Sequence, residues 1–345
     1  MSLRAEAVAK HPTFPWLAAG DLAGLGAYLR RRGWIDADER LRGAAPAGAG
    51  NMNLTLRVVT DRRSLVLKQA RPWVERYDHI AAPWERADVE RRFYERAARI
   101  DAVAGAMPRL LGADDEGRTL LLEDLPGARD LTDLYAGGTL AADEADALAR
   151  YLRSLHDATR GEADPAFTNR AMRALNHAHV FAVPYEPASD AALDGHEPGL
   201  AAAGRRLAGD QAFRAALAAT GRRYLADGPC LVHGDFFPGS WLRSAGGLKV
   251  IDPEFCFLGD PEVDLGCALA HLVLARQPAA RAERLLTAYG PYDPAWTARY
   301  AAAEAARRLL GVAQLPLPPS DGRRAALLER ARAAMVAGNP AALLA

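Results

Sequence analysis

The chain has 345 residues, 50% of them hydrophobic and 25% charged, enough apolar material to core one large or two ordinary domains. Its 43 Lys+Arg are balanced by 43 Asp+Glu, so the basic excess that would neutralise nucleic-acid phosphates is missing and no nucleic acid is expected as a partner. Cys230, Cys256 and Cys267 make neither a disulfide framework nor a Cys-x-x-Cys metal site, no stretch approaches ~18 consecutive apolar residues, and no apolar export signal opens the chain, so a cytoplasmic protein without a membrane partner is expected.

In chain order, Leu22, Leu25 and Leu29 recur at helical spacing within 17–32 and predict an amphipathic leading helix that stops at Gly33. A Gly/Ala/Pro loop is expected over 43–50. Met52, Leu54, Leu56 and Val58 then alternate with Asn53, Thr55 and Arg57, the period of a half-buried strand, and a turn at 60–63 leads to a second strand over Ser64–Gln69. A charged helix follows over 84–99, then two short strands, Met107–Leu111 and Thr119–Leu122, around a polar turn at 114–117. Beyond Leu125-Pro126-Gly127 the chain reads as Ala/Leu/Arg helix over 130–135, 142–160, 198–219, 261–277, 280–288, 294–310 and 322–337, with 161–197 loop-rich and without a period. A single β island interrupts it, where Trp241–Leu242 and Leu248–Ile251 flank a Ser-Ala-Gly-Gly turn. The expected organisation is a β-rich lobe with its leading helix over 1–125 and a helical lobe over 126–345.

The island carries the chemistry. Asp235 precedes the first hairpin strand and Asp252 follows the second, so closing the hairpin brings both carboxylates to one end. Two carboxylates on a rigid hairpin suit general acid/base work or Mg²⁺, because hard cations take oxygen ligands, and Glu254 adds another oxygen. Any one of these residues alone would read as a turn former. His233 reads as a structural imidazole bonded to backbone, and Asp264 as the N-cap and loop anchor of the next helix. A zinc hydrolase is excluded because His196-Glu197 is followed by Leu200 where a second histidine is required, and a serine hydrolase because Ser240 lacks a Gly-x-Ser-x-Gly elbow.

The runs HGDFFPGS, VIDPEF and GDPEVDLG resemble the catalytic and metal-binding segments of the protein-kinase-like small-molecule kinases: the aminoglycoside phosphotransferases, choline kinases and 5-methylthioribose kinases. The resemblance implies an α+β, two-lobed protein-kinase-like fold with a small β-rich N-lobe and a larger, mainly helical C-lobe. It also implies ATP between the lobes and transfer of its γ-phosphoryl to a hydroxyl of a small molecule. Asp235 would accept or orient the hydroxyl proton, and Asp252 would hold Mg²⁺ on the phosphates. Most of the family has Asn five residues after the catalytic aspartate. Here Ser240 stands there, and Gly239-Ser240 with Asp252-Pro253-Glu254 is similar to the 5-methylthioribose kinases; Glu254 is expected to supplement Ser240, a weaker ligand.

In the first lobe, GAGNMN, LKQARPWV and ERADVE resemble the same kinases. By that resemblance the small-residue turn of Gly48, Gly50, Asn51 and Asn53 offers backbone N–H groups to phosphates. Lys68, one of three lysines in the chain, bridges the α- and β-phosphates with Glu90 as its partner. Backbone groups near Glu123 and Leu125 bind adenine, and Trp84 matches a substrate-loop tryptophan. Near the C-terminus EAARRLLGVA resembles a helix whose arginine pair, Arg307 and Arg308, reaches a sugar, although composition alone would make the pair a solvated helix face. Gly259-Asp260-Pro261 is closer to the antibiotic kinases. The leading expectation is phosphorylation of 5-methylthioribose at its anomeric hydroxyl (methionine salvage). An aminoglycoside, amino-sugar or other polyol kinase is the alternative, a catalytically silent binding protein the third reading, and a homodimer stays open as an assembly.

Overall fold

The computed structural model describes residues 2–48, 50, 52–186, 190–318 and 322–345. The chain divides into two compact units, Met1–Ala128 and Arg129–Ala345.

The first unit begins with α1 (Leu3–Lys10) and α2 (Leu22–Arg31) and contains the strands β1 (Leu41–Pro46), β2 (Leu54–Thr60) and β3 (Ser64–Gln69), the small hairpin β4 (Trp73–Val74) and β5 (Tyr77–Ala81), the helices α3 (Arg86–Ala97) and α4 (Asp101–Ala104), and the strands β6 (Leu110–Asp114) and β7 (Thr119–Glu123). Five strands form an antiparallel sheet in the order β1-β2-β3-β7-β6. Alternation places Leu56, Val58, Leu65, Leu67 and Leu121 against Leu25, Tyr28 and Leu29 of α2, which forms the core of this unit. The expected 43–50 loop is corrected: 41–46 is an edge strand. Its backbone pairs with β2 on one side only, so Gly43 and Pro46 are tolerated there.

The second unit opens with β8 (Arg129–Asp130) and a 3-10 turn over Leu131–Ala136. It continues through α5 (Ala142–Ala158), α6 (Arg170–Phe181), α7 (Asp190–Asp194), α8 (Leu200–Gly209) and α9 (Gln211–Leu225) to β9 (Cys230–Val232), β10 (Trp241–Ser244), β11 (Gly247–Val250) and β12 (Phe257–Gly259). The helices α10 (Glu262–Leu274), α11 (Ala279–Tyr289), α12 (Pro294–Leu310), α13 (Arg323–Ala337) and α14 (Ala341–Leu344) complete it. The single helix expected over 198–219 is two, because Asp210 caps the second through its carboxylate on Phe213 N at 2.8 Å. Every residue of α10 is buried, and α12 packs along it. Their closeness depends on Gly266: a Cβ there would lie 2.6 Å from Tyr300 Cβ and 2.8 Å from Ala301 N. Among the described residues no helix is long and apolar enough to cross a membrane.

Candidate active site

The hairpin β10–β11 closes with Ser244 opposite Gly247 and Trp241 opposite Val250, so its open end receives Asp235 on one side and Asp252 on the other. His233 joins the two: its Nε2 lies 2.9 Å from the Ile251 carbonyl, one residue before Asp252. This is the structural imidazole expected, and burial lowers its pKa, which keeps the ring neutral. Gly234 has φ +84°, and a Cβ on it would lie 2.2 Å from the Phe255 carbonyl oxygen, so only glycine lets the two acidic loops touch.

Below them, Asp264 accepts from His233 N at 2.7 Å and Gly234 N at 2.9 Å and faces His156 Nε2 at 3.0 Å. Asp264 is thus the loop anchor expected but not the N-cap. Pro261 holds that position, and Asp264 lies within the first turn of α10, where a carboxylate complements the helix N-terminus. Ser240 donates its hydroxyl to the Asp235 carbonyl at 3.1 Å and so closes the 235–240 loop. Asp252 sits at φ 62°, ψ 53°, a left-handed conformation that costs a non-glycine residue about 1–2 kcal/mol and that concentrates at functional sites.

The Asp235 carboxylate, 20% exposed, has Arg307 Nη2 and Arg308 Nη2 each 3.5 Å from its Oδ1. The arginines project from the last turn of α12, and Arg308 lies over the Phe237 ring at 4.9 Å. They are therefore not a solvated helix face: their side chains are 12% and 6% exposed. Two guanidiniums converging on one carboxylate can bind hydroxyl oxygens and countercharge a phosphoryl group beside an acid/base residue.

In the first unit Lys68, from β3, meets Glu90 of α3 at 2.7 Å, both almost wholly buried. Asn53 is also buried, its side-chain oxygen accepting from Arg86 Nε at 2.9 Å. Gly48 has φ +89° with open space around it, Gly50 adjoins the Thr55 hydroxyl, and Asn51 lies outside the described residues. Glu123, at the end of β7, donates its N–H to Arg109 O at 2.9 Å and pairs its carboxylate with the Arg109 side chain. Leu125 accepts at its carbonyl from Ala128 N at 3.0 Å, while its own N–H has no partner among the described residues.

Residues 43–302 match the model of the phosphotransferase enzyme family. The chain belongs to this family. This phosphotransferase-family chain is 29% identical over 249 residues to the methylthioribose kinase of Exiguobacterium sibiricum, an alignment covering 68% of the chain and 62% of that relative. It is 27% identical over 333 residues to the methylthioribose kinase of Pectobacterium atrosepticum, covering 89% of the chain and 78% of the relative. The chain thus spans less than two thirds of the first relative's length. The crystal structure of a choline/ethanolamine kinase family protein from Mesorhizobium loti superposes with a TM-score of 0.50 at 21% identity, covering 99% of both chains. The fold is the kinase-like one that the motifs imply, with a sheet-rich first unit and a helical second one.

Three residues that hold these groups within their own units are not evident from the sequence. Arg86, wholly buried, donates to Asn53 Oδ1, to Met52 O at 3.1 Å, to Arg71 O at 2.8 Å and to Pro83 O at 2.6 Å, binding the glycine-rich turn to the start of α3. Only its place in ERADVE hinted at a role. Asn169, from the stretch without a period, donates to the Glu254 and Cys256 carbonyls at 3.1 and 2.9 Å and holds the Asp-Pro-Glu loop. Glu304, behind the arginine pair, receives both guanidiniums. Trp84, matched to a substrate loop, spends its N–H on Ala70 O at 3.0 Å and stacks on Trp16.

Proposed function

We propose that this chain is an ATP-dependent small-molecule kinase that phosphorylates 5-methylthioribose at its anomeric hydroxyl. The observation that carries the reading is the Asp235 carboxylate held between Arg307 and Arg308 on the loop that His233 ties to the Asp252 segment. Asp235 takes the proton of the attacking hydroxyl as its oxygen forms the new bond to the γ-phosphorus; the bond from that phosphorus to the bridging oxygen breaks, and ADP leaves. The arginines donate to the sugar hydroxyls and countercharge the phosphoryl group in flight.

In the first unit Lys68, oriented by Glu90, is the point charge for the α- and β-phosphates, and the Leu125 N–H is an open donor for adenine. Gly48, Gly50 and Asn53 belong to the phosphate turn, with Asn53 held by Arg86. Asp252 and Glu254 suit Mg²⁺ by donor chemistry: anionic oxygens two residues apart, on a loop whose carbonyls accept from the Asn169 side-chain amide. Ser240 can add only a lone pair, since its proton goes to the Asp235 carbonyl. When bound, Mg²⁺ would draw charge from the phosphate oxygens.

A polycationic antibiotic is the weaker acceptor, because two arginines face the hydroxyl-activating carboxylate. Asp260, the residue that drew the comparison with antibiotic kinases, is occupied by Arg223 at 2.5 Å and by the Tyr300 hydroxyl at 3.2 Å. ATP consumption measured against 5-methylthioribose, 5-deoxyribose, ribose, choline and kanamycin tests the reading. Turnover with methylthioribose and not with kanamycin is the expected result. The reverse would leave only kinase activity, and no turnover with any acceptor would favour a silent binding protein.

A further inference from the structure

Behind the arginine pair lies a buried polar chain that the phosphoryl-transfer chemistry does not itself use. Glu304 Oε1 accepts from His271 Nε2 at 2.9 Å, from Arg307 Nη2 at 2.7 Å and from Arg308 Nε at 2.7 Å, while its Oε2 accepts from Arg307 Nε at 2.7 Å. The three α12 residues stand at i, i+3 and i+4 and so share one helix face. His271 comes from α10, brought within reach by the close approach at Gly266. Its other nitrogen, Nδ1, meets the Tyr135 hydroxyl at 2.5 Å.

The direction of the chain follows from the donors available. Burial alone would push the Glu304 carboxyl up, but the guanidiniums of Arg307 and Arg308 outweigh it and hold the group well below the carboxylate range, so Glu304 only accepts. His271 then donates from Nε2, and its Nδ1 is left to accept from Tyr135. Burial lowers the His271 pKa to about 4, consistent with a neutral ring carrying one proton.

We infer that Glu304, oriented by His271 and Tyr135, is the positioning residue that aims the arginine pair at Asp235 and its acceptor. The inference rests on the acceptor-binding role proposed for that pair. Each arginine uses Nε on Glu304, and each turns Nη2 toward Asp235 at 3.5 Å. Nη1 of Arg307 has no partner among the described residues and is available to a sugar hydroxyl. A guanidinium held at Nε by a buried carboxylate loses its rotamer freedom before the ligand arrives, so less ordering remains to oppose binding. The four charges, two positive and two negative, sum to zero, which suits a neutral sugar.

The same residues satisfy a distance criterion for a metal site, because ligand atoms of Cys267, His271 and Glu304 all lie within 4.8 Å of one another. That reading fails on chemistry. The Cys267 thiol is pushed well above its ordinary value by burial and by the neighbouring carboxylates, and the only carboxylate already serves two guanidiniums, whose charge repels a cation.

The test compares Tyr135→Phe, His271→Gln, which keeps an N–H donor, His271→Ala and Glu304→Gln in the full chain. Glu304→Gln and His271→Ala should raise KM for the acceptor by about tenfold or more, the usual effect of losing a charge-assisted bond. KM for ATP should stay within about twofold, and His271→Gln should recover most of the loss. In a ¹⁵N-arginine-labelled sample, the Nε–H signals of Arg307 and Arg308, assigned from Arg→Lys variants, should exchange slowly in the unaltered chain and rapidly in Glu304→Gln. Parallel rises in both KM values, or an acceptor KM unchanged in folded His271→Ala and Tyr135→Phe, would overturn the inference. So would rapid exchange in the unaltered chain, or stoichiometric zinc that disappears in Cys267→Ser. If no acceptor is phosphorylated, the functional reading fails, and the exchange measurement still decides whether Glu304 holds the arginines.

Discussion

Asp235 differs from the other acidic residues around it in what surrounds its oxygens. Asp264 is spent on two backbone N–H groups and on His156, whereas Asp235 keeps an accessible edge and two guanidiniums at the outer limit of bonding. An anchoring carboxylate and one with an open edge are thereby separated within thirty residues of chain. Asp235→Asn keeps the shape and removes the basic oxygen, so turnover should fall by ~10²–10⁴, the usual share of a general base. Nucleotide binding measured by calorimetry should be nearly unchanged; a variant retaining more than about a tenth of the turnover would remove the base role.

Removing either Arg307 or Arg308 should lower kcat/KM for the sugar by about 1.5–3 kcal/mol, the worth of a bond to a charged group, without altering ATP affinity. What was legible at this scale was contiguous: His233, Asp235, Asp252 and Glu254 stand in short runs whose chemistry reads directly. Glu304, His271 and Tyr135 were not legible, because each is ordinary in its own helix or turn and they meet only through helix packing across more than a hundred residues of chain.

At the level of elements, the hairpin of the second unit and the glycine-rich turn of the first are held in different ways. The β10–β11 hairpin has a fixed register and is tied at its open end by His233, so its carboxylates ride on a rigid support. The strands that flank the glycine-rich turn, β1 and β2, are likewise in register, from Gly43 opposite Val59 to Pro46 opposite Leu56. The turn itself is held from outside by Arg86, whose guanidinium reaches the Arg71 carbonyl between β3 and β4, the Pro83 carbonyl before α3, and the Met52 carbonyl and Asn53 amide oxygen of the turn. Arg86→Ala would leave these buried acceptors without their donor, at about 1–3 kcal/mol for an unsatisfied group. A loss of roughly 2–4 kcal/mol in denaturant titration is expected, together with a raised KM for ATP and an unchanged KM for the acceptor. Equal changes in both KM values would show that Arg86 only stabilises the unit.

The elements missed in the sequence share a cause. Strand 41–46 is rich in Gly, Ala and Pro and survives by edge pairing, β4 and β5 are too short for a period to register, and α6 hides behind Asn169, whose left-handed conformation starts it without a conventional cap. Tertiary context, not local pattern, decides each of them.

Over the whole molecule, charges balance at neutral pH, and acidification therefore builds a net positive charge from a neutral start. Burial sharpens the response. His177, His179, His233 and His271 all have lowered pKa values caused first by burial, so the unfolded chain binds protons that the folded chain refuses. For His271 the sign is definite. Above pH ~6.5 the ring is neutral in both states and contributes nothing. As the pH falls from 6.5, its ordinary value, towards about 4, its folded value, only the unfolded state takes up the proton and stability is lost.

Between those limits His271 alone accounts for about 3 kcal/mol, at 1.36 kcal/mol per unit. Glu304 acts in the same direction at lower pH: its depressed folded value adds stability above the ordinary carboxylate range, which is lost as the pH drops through the folded value. The groups facing His271, namely Tyr135, Glu304, Arg308 and Asp235, lie within the second unit, so the acid-sensitive step should be the unfolding of that unit. Urea titrations at pH 7, 6, 5 and 4 should show stability falling steadily below pH 6.5. His271→Gln, which keeps the donor to Glu304 and cannot titrate, should flatten that fall. An unaltered slope in the variant would place the acid sensitivity on the other buried histidines instead.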